Sequence, residues 1–425
     1  MKEKILPFCY AALIVIVSAL FISDYCWLFD DFSMMAKKRL LEHPLLTFFV
    51  TPFIFWISAY LCRRYSPTAS GLHLPTALKQ LEKNPDDFSK VSPFLNLRFV
   101  LVKTASSLLA NFGGGALGRE GPGVHISAGL FAILSQRYKK FLPKISLESW
   151  VLSGAAVGLA TVFNAPFAAV MFVVERLSVE AWKNFKQKIS ATLFAILIFE
   201  IFFHKSSPVF IFRSVEFKVG GEIILLFFVA KFCGILAFFF KFITQNLYKK
   251  ILNIESNWWH AVPLISGFLV ALISFYCGIY SFGGGIETIK QTLASPEPFL
   301  SYTELFGRIL NTILTFISGC AGGLIAPAMA IGVGIGSVVA NMFSGFDIGI
   351  FLLVGMAAFL GAILEKPVTA AFIVLEVTNQ NFKNLPVLII AAATAFGIRV
   401  TMENLNLKNL KKASALAFRK SAQRN

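Results

Sequence analysis

The chain has 425 residues, 56% of them hydrophobic and 46 of them Phe, with a mean hydropathy of +0.70. Apolar runs extend from residue 5 to residue 400, which excludes a separate soluble domain and points to a single transmembrane domain over 1–425. The formal charge of +16 sits in short loops and at the ends, the pattern of a cytoplasmic side and not of a nucleic-acid site.

The first apolar run, 5–28, is interrupted by Asp24 and is followed by no clear cleavage site, so it reads as a retained helix. Further runs fall at 44–61, 95–112, 122–136, 150–177, 189–203, 221–245, 261–280, 303–320, 327–345, 349–379 and 385–400. Between them stand Arg63 and Arg64, then Arg137, Lys139, Lys140 and Lys144, then Lys183, Lys186 and Lys188. With Lys2 and Lys4 at one end and a short basic tail at 405–425, both termini are expected in the cytoplasm. Several runs are too short, or too broken by Gly and Pro, for a simple span. Broken backbone at membrane depth survives only where it is buried in protein or lines a cavity, as in a transporter or channel.

The two halves of the chain resemble each other. GAAVGLATVFNAPFAAVMFVVE (154–175) aligns with GMAAFLGAILEKPVTAAFIVLE (355–376), the glycine, proline and glutamate recurring at an offset of 201. GREGP (118–122) is echoed by GLIAP (323–327) at an offset of 205. Two repeats, roughly 44–205 and 221–400, suit a duplicated transporter with its site where broken helices meet.

Three places place Gly ahead of Pro and an apolar helix: SGLHLP (70–75), GREGP and GGLIAP (322–327). Glycine lets backbone approach a ligand, and the helix start offers free N–H groups and the positive end of a dipole. Three such ends make an anion site without a full positive charge, suited to a conduit that must also release its ion. Glu120, itself an anion, can occupy that site and give way to a transported one. The alternative is that Arg119 and Glu120 form a buried pair or cap a helix. Lys103, inside the apolar run FVLVKTASSLL, pairs with a neighbour or adds positive potential, and His125 tunes the site or packs. The six cysteines lack metal-ligand spacing, and no HExxH, GxSxG or P-loop occurs, so neither a metal, a cofactor nor an enzyme is expected.

GREGPGVHI, PTASGLHLP, SGCAGGLIAP, FNAPFAAVMFVVE and KPVTAAFIVLE, in that relation along residues 44 to 400, are similar to segments of the CLC chloride channels and chloride/proton antiporters. The resemblance implies an all-α polytopic fold of two inverted repeats with tilted and broken helices. It implies a homodimer in a prokaryotic inner membrane, with one anion path per subunit. Glu120 is then the gate, and Gly71, Leu72, His73, Gly118, Arg119, Gly121, Gly323, Leu324 and Ile325 surround the anion. Three departures follow from the same comparison. Leu72 stands where the family has a serine. The family's late tyrosine has no counterpart, the last Tyr being Tyr302, so the inner path reads as apolar. Arg176 stands where many antiporters have an inner proton acid, and arginine does not release its proton. The expectation is therefore chloride transport that is passive or weakly proton-coupled, set by pH, voltage or the anion. The alternatives are a coupled chloride/proton antiporter or a fluoride- or nitrate-selective relative.

Overall fold

In the computed structural model the described residues are 2–71, 73–176, 184–204, 207–217, 222–252, 254, 257–295, 297, 299–343 and 346–422. They form helices α1 (Lys2–Glu42), α2 (Pro44–Tyr65), α3 (Leu74–Lys83), α4 (Phe88–Leu95), α5 (Leu97–Phe112) and α6 (Glu120–Arg137). Then follow α7 (Leu147–Phe163), α8 (Pro166–Arg176), α9 (Phe185–Phe203), α10 (Glu222–Leu252), α11 (Ala261–Cys277) and α12 (Ile286–Ala294). The last are α13 (Tyr302–Ile317), α14 (Ile325–Ala340), α15 (Ile348–Leu364), α16 (Pro367–Val377) and α17 (Leu385–Ala422). The fold is all-α, as expected.

Among the described residues five helices are long and apolar enough to cross a membrane, while α7, α14, α15 and α16 are apolar but shorter. The element bounds differ from the sequence expectation in four places. The run at 150–177 is two helices, because Asn164 turns left-handed at φ 51° before Pro166. The run at 349–379 is likewise two, broken by Glu365 at φ 60° before Pro367. The residue before a proline is disfavoured in a helix, and a left-handed residue ends one. The first helix continues past 28 to Glu42, and the last continues past 400 through most of the expected tail. Starts are set by local caps: Ser301 and Glu304 form a capping box on α13, and Asp347 accepts from Gly349 N at 2.7 Å on α15.

The short helices are buried by close backbone contact. A Cβ at Gly332 of α14 would lie 2.3 Å from the Gly355 carbonyl of α15, and one at Gly336 would lie 2.2 Å from the Phe351 carbonyl. In the first half, a Cβ at Gly158 of α7 would lie 2.8 Å from the Gly123 carbonyl of α6. Small residues let helices meet at this range where water supplies no driving force.

The halves are joined by reciprocal bonds between residues that the internal repeat pairs. Glu175, near the end of α8, accepts from Val368 N at 3.1 Å and Thr369 N at 2.8 Å at the start of α16. Glu376, near the end of α16, accepts from Phe167 N at 3.0 Å and Ala168 N at 2.6 Å at the start of α8. Each helix therefore caps the other, and the two run antiparallel. Two faces result. One carries Lys37, Arg119 and Asn164 around a cavity of about 820 Å³. The other carries Pro85, Lys139, Lys144 and Trp150, with Tyr10 of α1 against Phe141 at 5.4 Å.

Candidate functional site: two helix starts around a buried carboxylate

GREGP and GLIAP, 205 residues apart, meet in the core. Gly118 N donates to Gly323 O at 2.8 Å and Gly323 N to Gly118 O at 2.9 Å, an isolated antiparallel bridge. A Cβ at Gly323 would lie 2.6 Å from Gly121 N, so only glycine allows this approach. A second exchange brackets it: Ala321 N donates to Ser106 Oγ of α5, and Ala116 N to Thr315 Oγ1 of α13, both at 3.0 Å. The bridge sets the starts of α6 and α14 side by side. Pro122 and Pro327 fall in the first turns, where an N–H has no helical partner to lose.

Glu120 is the first residue of α6 and is fully buried. Its Oε2 accepts from Ala326 N of α14 at 3.3 Å, and its Oε1 has no partner among the described residues. A Cβ at Gly118 would lie 2.0 Å from Oε2. The carboxylate thus fills the space where the two helix starts converge, held by one long bond. A buried Arg119–Glu120 pair, one of the sequence alternatives, is not what forms. Arg119 instead reaches across to α1, where it pairs with Asp30 and donates to Cys26 O at 3.4 Å. Leu324 precedes α14 and Ile325 opens it, so their backbone lies at the same convergence.

The first loop arrives from α2. Gly71 is left-handed at φ 71°, and its carbonyl, with that of Ala69, accepts from Lys103 Nζ at 3.0 and 2.8 Å. Lys103 is buried and has no carboxylate partner among the described residues. Its ammonium is satisfied by the loop it holds, the local pairing that one of the two sequence readings expects. His73 precedes α3 without capping it, its ring 6.1 Å from Phe94. His125 packs on Phe99 at 4.4 Å. Leu72 lies outside the described residues.

One group was missed by sequence reasoning. Tyr248 of α10 brings its hydroxyl to 3.2 Å from Ser70 Oγ, and a Cβ at Gly71 would lie 3.0 Å from it. Both hydroxyls line a cavity of about 70 Å³ with Cys62, Ser318 and Gly319, the last opening the second loop. This small cavity therefore holds two hydroxyls. The signal in sequence was slight: Tyr248 precedes Lys249 and Lys250 and reads as an interfacial aromatic.

Arg176, the last residue of α8, donates through Nη2 to Pro75 O at 2.9 Å. It ties α8 to the start of α3. Glu175 is committed to capping α16, with Thr369 Oγ1 adding a bond at 2.7 Å. Glu180, the other acid considered beside it, lies outside the described residues.

A family model described as voltage gated chloride channel matches residues 54–399. The chain belongs to the CLC family. Members of that family are transporters and channels, not enzymes, and the chain is an integral membrane protein of CLC anion-transport type. Among similar proteins is the H(+)/Cl(-) exchange transporter ClcA of Vibrio cholerae serotype O1, 27% identical over 357 residues, covering 81% of this chain and 74% of that protein. ClcA of Klebsiella pneumoniae subsp. pneumoniae is 26% identical over 365 residues, with the same coverage. The CLC fold is shared with solved structures. A slow cyanobacterial Cl-/H+ antiporter superposes with a TM-score of 0.76 at 18% identity, over 93% of this chain and 94% of that one. A CLC-type fluoride/proton antiporter gives 0.72 at 22%, over 92% and 95%.

Proposed function

We propose that this CLC protein exchanges a small monovalent anion, chloride in the first instance, for protons, with Glu120 as the gate. The observation that carries this reading is the Glu120 carboxylate: an anion seated between two helix starts, with a single long bond to Ala326 N and one oxygen unpartnered. A chloride has the charge to take that place, and a proton on Glu120 removes the competitor's charge. Backbone around Gly118, Gly121, Gly323, Leu324 and Ile325 then receives the anion. The sequence favours passive conduction because Arg176 replaces a proton acid. The exchanger names of the relatives favour coupling instead.

The test is simultaneous chloride efflux and proton uptake in vesicles of purified protein. Stoichiometric proton movement with chloride is expected. Chloride movement with no protons restores the passive reading. In Glu120→Gln, which keeps the shape and removes the charge, chloride flux should continue without protons and without pH dependence. Flux in this variant that still responds to pH as before removes Glu120 as the gate.

A further inference from the structure

The face with the basic loops gathers several acids around Arg176. Glu148 of α7 is held by Lys188 at 2.7 Å. Glu365 is bonded to Lys241 and lies 3.3 Å from Arg399, whose Nη1 pairs with Glu403 at 2.5 Å. Glu175 spends both oxygens on the start of α16. Glu82 differs from all of these. It is half-buried on α3 and makes no hydrogen bond or ion pair among the described residues.

Its position is specific. Glu82 is seven residues from Pro75, hence two turns along the same face of α3 and about 10 Å from the carbonyl that Arg176 holds. Glu82 and Glu365 are the acids that act on Arg176, and Glu82 also acts on Lys366 and on Glu148. The charged groups within electrostatic reach of it are Arg176 from α8, Lys366 from the start of α16 and Glu148 from α7, with Lys79 and Lys83 on its own helix. α3 itself begins at the loop that Lys103 holds, so a charge change at Glu82 lies on the helix that continues from that loop.

We propose that Glu82 is the proton-loading acid of the basic face, serving where Arg176 cannot. The step is a transfer alone: the Glu82 carboxylate takes a proton from the solution on that face and later releases it toward the interior, and no other bond forms or breaks. This inference rests on the coupled reading above.

The experiment measures chloride and proton flux together, in vesicles, for the wild-type chain, Glu82→Gln and Glu82→Asp. In Glu82→Gln, chloride flux should persist while the proton-to-chloride ratio falls at least about tenfold. Glu82→Asp keeps an acid and should keep the ratio, a contrast that a purely structural role does not produce. A wild-type ratio in Glu82→Gln overturns the inference. So does equal loss of chloride and proton flux in both variants. A wild-type chain that moves no protons fails the coupled reading itself, before any variant is compared. Should Glu82→Gln fold poorly, Glu82→Ala carries the same expectation at this half-buried position.

Discussion

Lys103 shows how a charge can serve a path it does not touch. Its ammonium is buried, unpaired with any carboxylate, and spent on the carbonyls of Ala69 and Gly71. Substitution Lys103→Met keeps most of the volume but leaves two carbonyls without a donor, at about 1–3 kcal/mol each. The expected result is a looser first loop and chloride binding weakened about tenfold, equivalent to about 1.4 kcal/mol. Isothermal titration with chloride checks it; unchanged affinity would show that the loop holds its shape unaided. The glycine and proline positions that build the site were legible in sequence, since they are consecutive and carry their own backbone logic. The partners were not. Asp30 reaches Arg119 across 89 positions, and Tyr248 reaches Ser70 across 178. No local pattern says which distant side chain will face a loop.

At the scale of elements, the α8–α16 exchange replaces ordinary capping. Neither helix start uses the side chain of the residue before it; each uses a glutamate from the other half. Glu175→Ala strips the start of α16 of two backbone partners and Thr369 of its acceptor. With hydrogen bonds to a charged group worth about 1.5–3 kcal/mol each, the melting temperature in detergent should drop clearly. A thermal scan with unchanged midpoint would mean that other groups take over these N–H donors. The repeat announced that these glutamates correspond, but not that they bond to each other's helix. Spacing records equivalence, whereas contact needs the relative direction of the halves. For the same reason the runs at 150–177 and 349–379 looked continuous. The turns at Asn164 and Glu365 use left-handed residues that leave no periodic mark, and only Pro166 and Pro367 hinted at a break.

For the whole molecule, the loops rich in Lys and Arg gather on one side. The loop after α6 and the start of α9 lie there, as does the inner part of α17, through Lys241 and Glu403. The positive-inside bias predicts that this face, with both ends of the chain, lies in the cytoplasm. A protease site inserted between Lys140 and Lys144 should be cut only in inverted membrane vesicles. One inserted beside Asn164 should be cut only in right-side-out vesicles, and the opposite result would reverse the orientation. In the predicted orientation Glu120 would lie behind the cavity of Arg119 and Asp30 on the outside, and Glu82 toward the cell interior.

The mutual capping of α8 and α16 also bears on where such a chain can come from. A lone half would own a carboxylate with no helix to cap and a helix start with no carboxylate. A second copy of the same half, threaded through the bilayer the other way up, would repair both defects at once. Fusion of two such oppositely inserted copies would then preserve a contact that each needed from the beginning, and the matched Glu175 and Glu376 are its surviving trace.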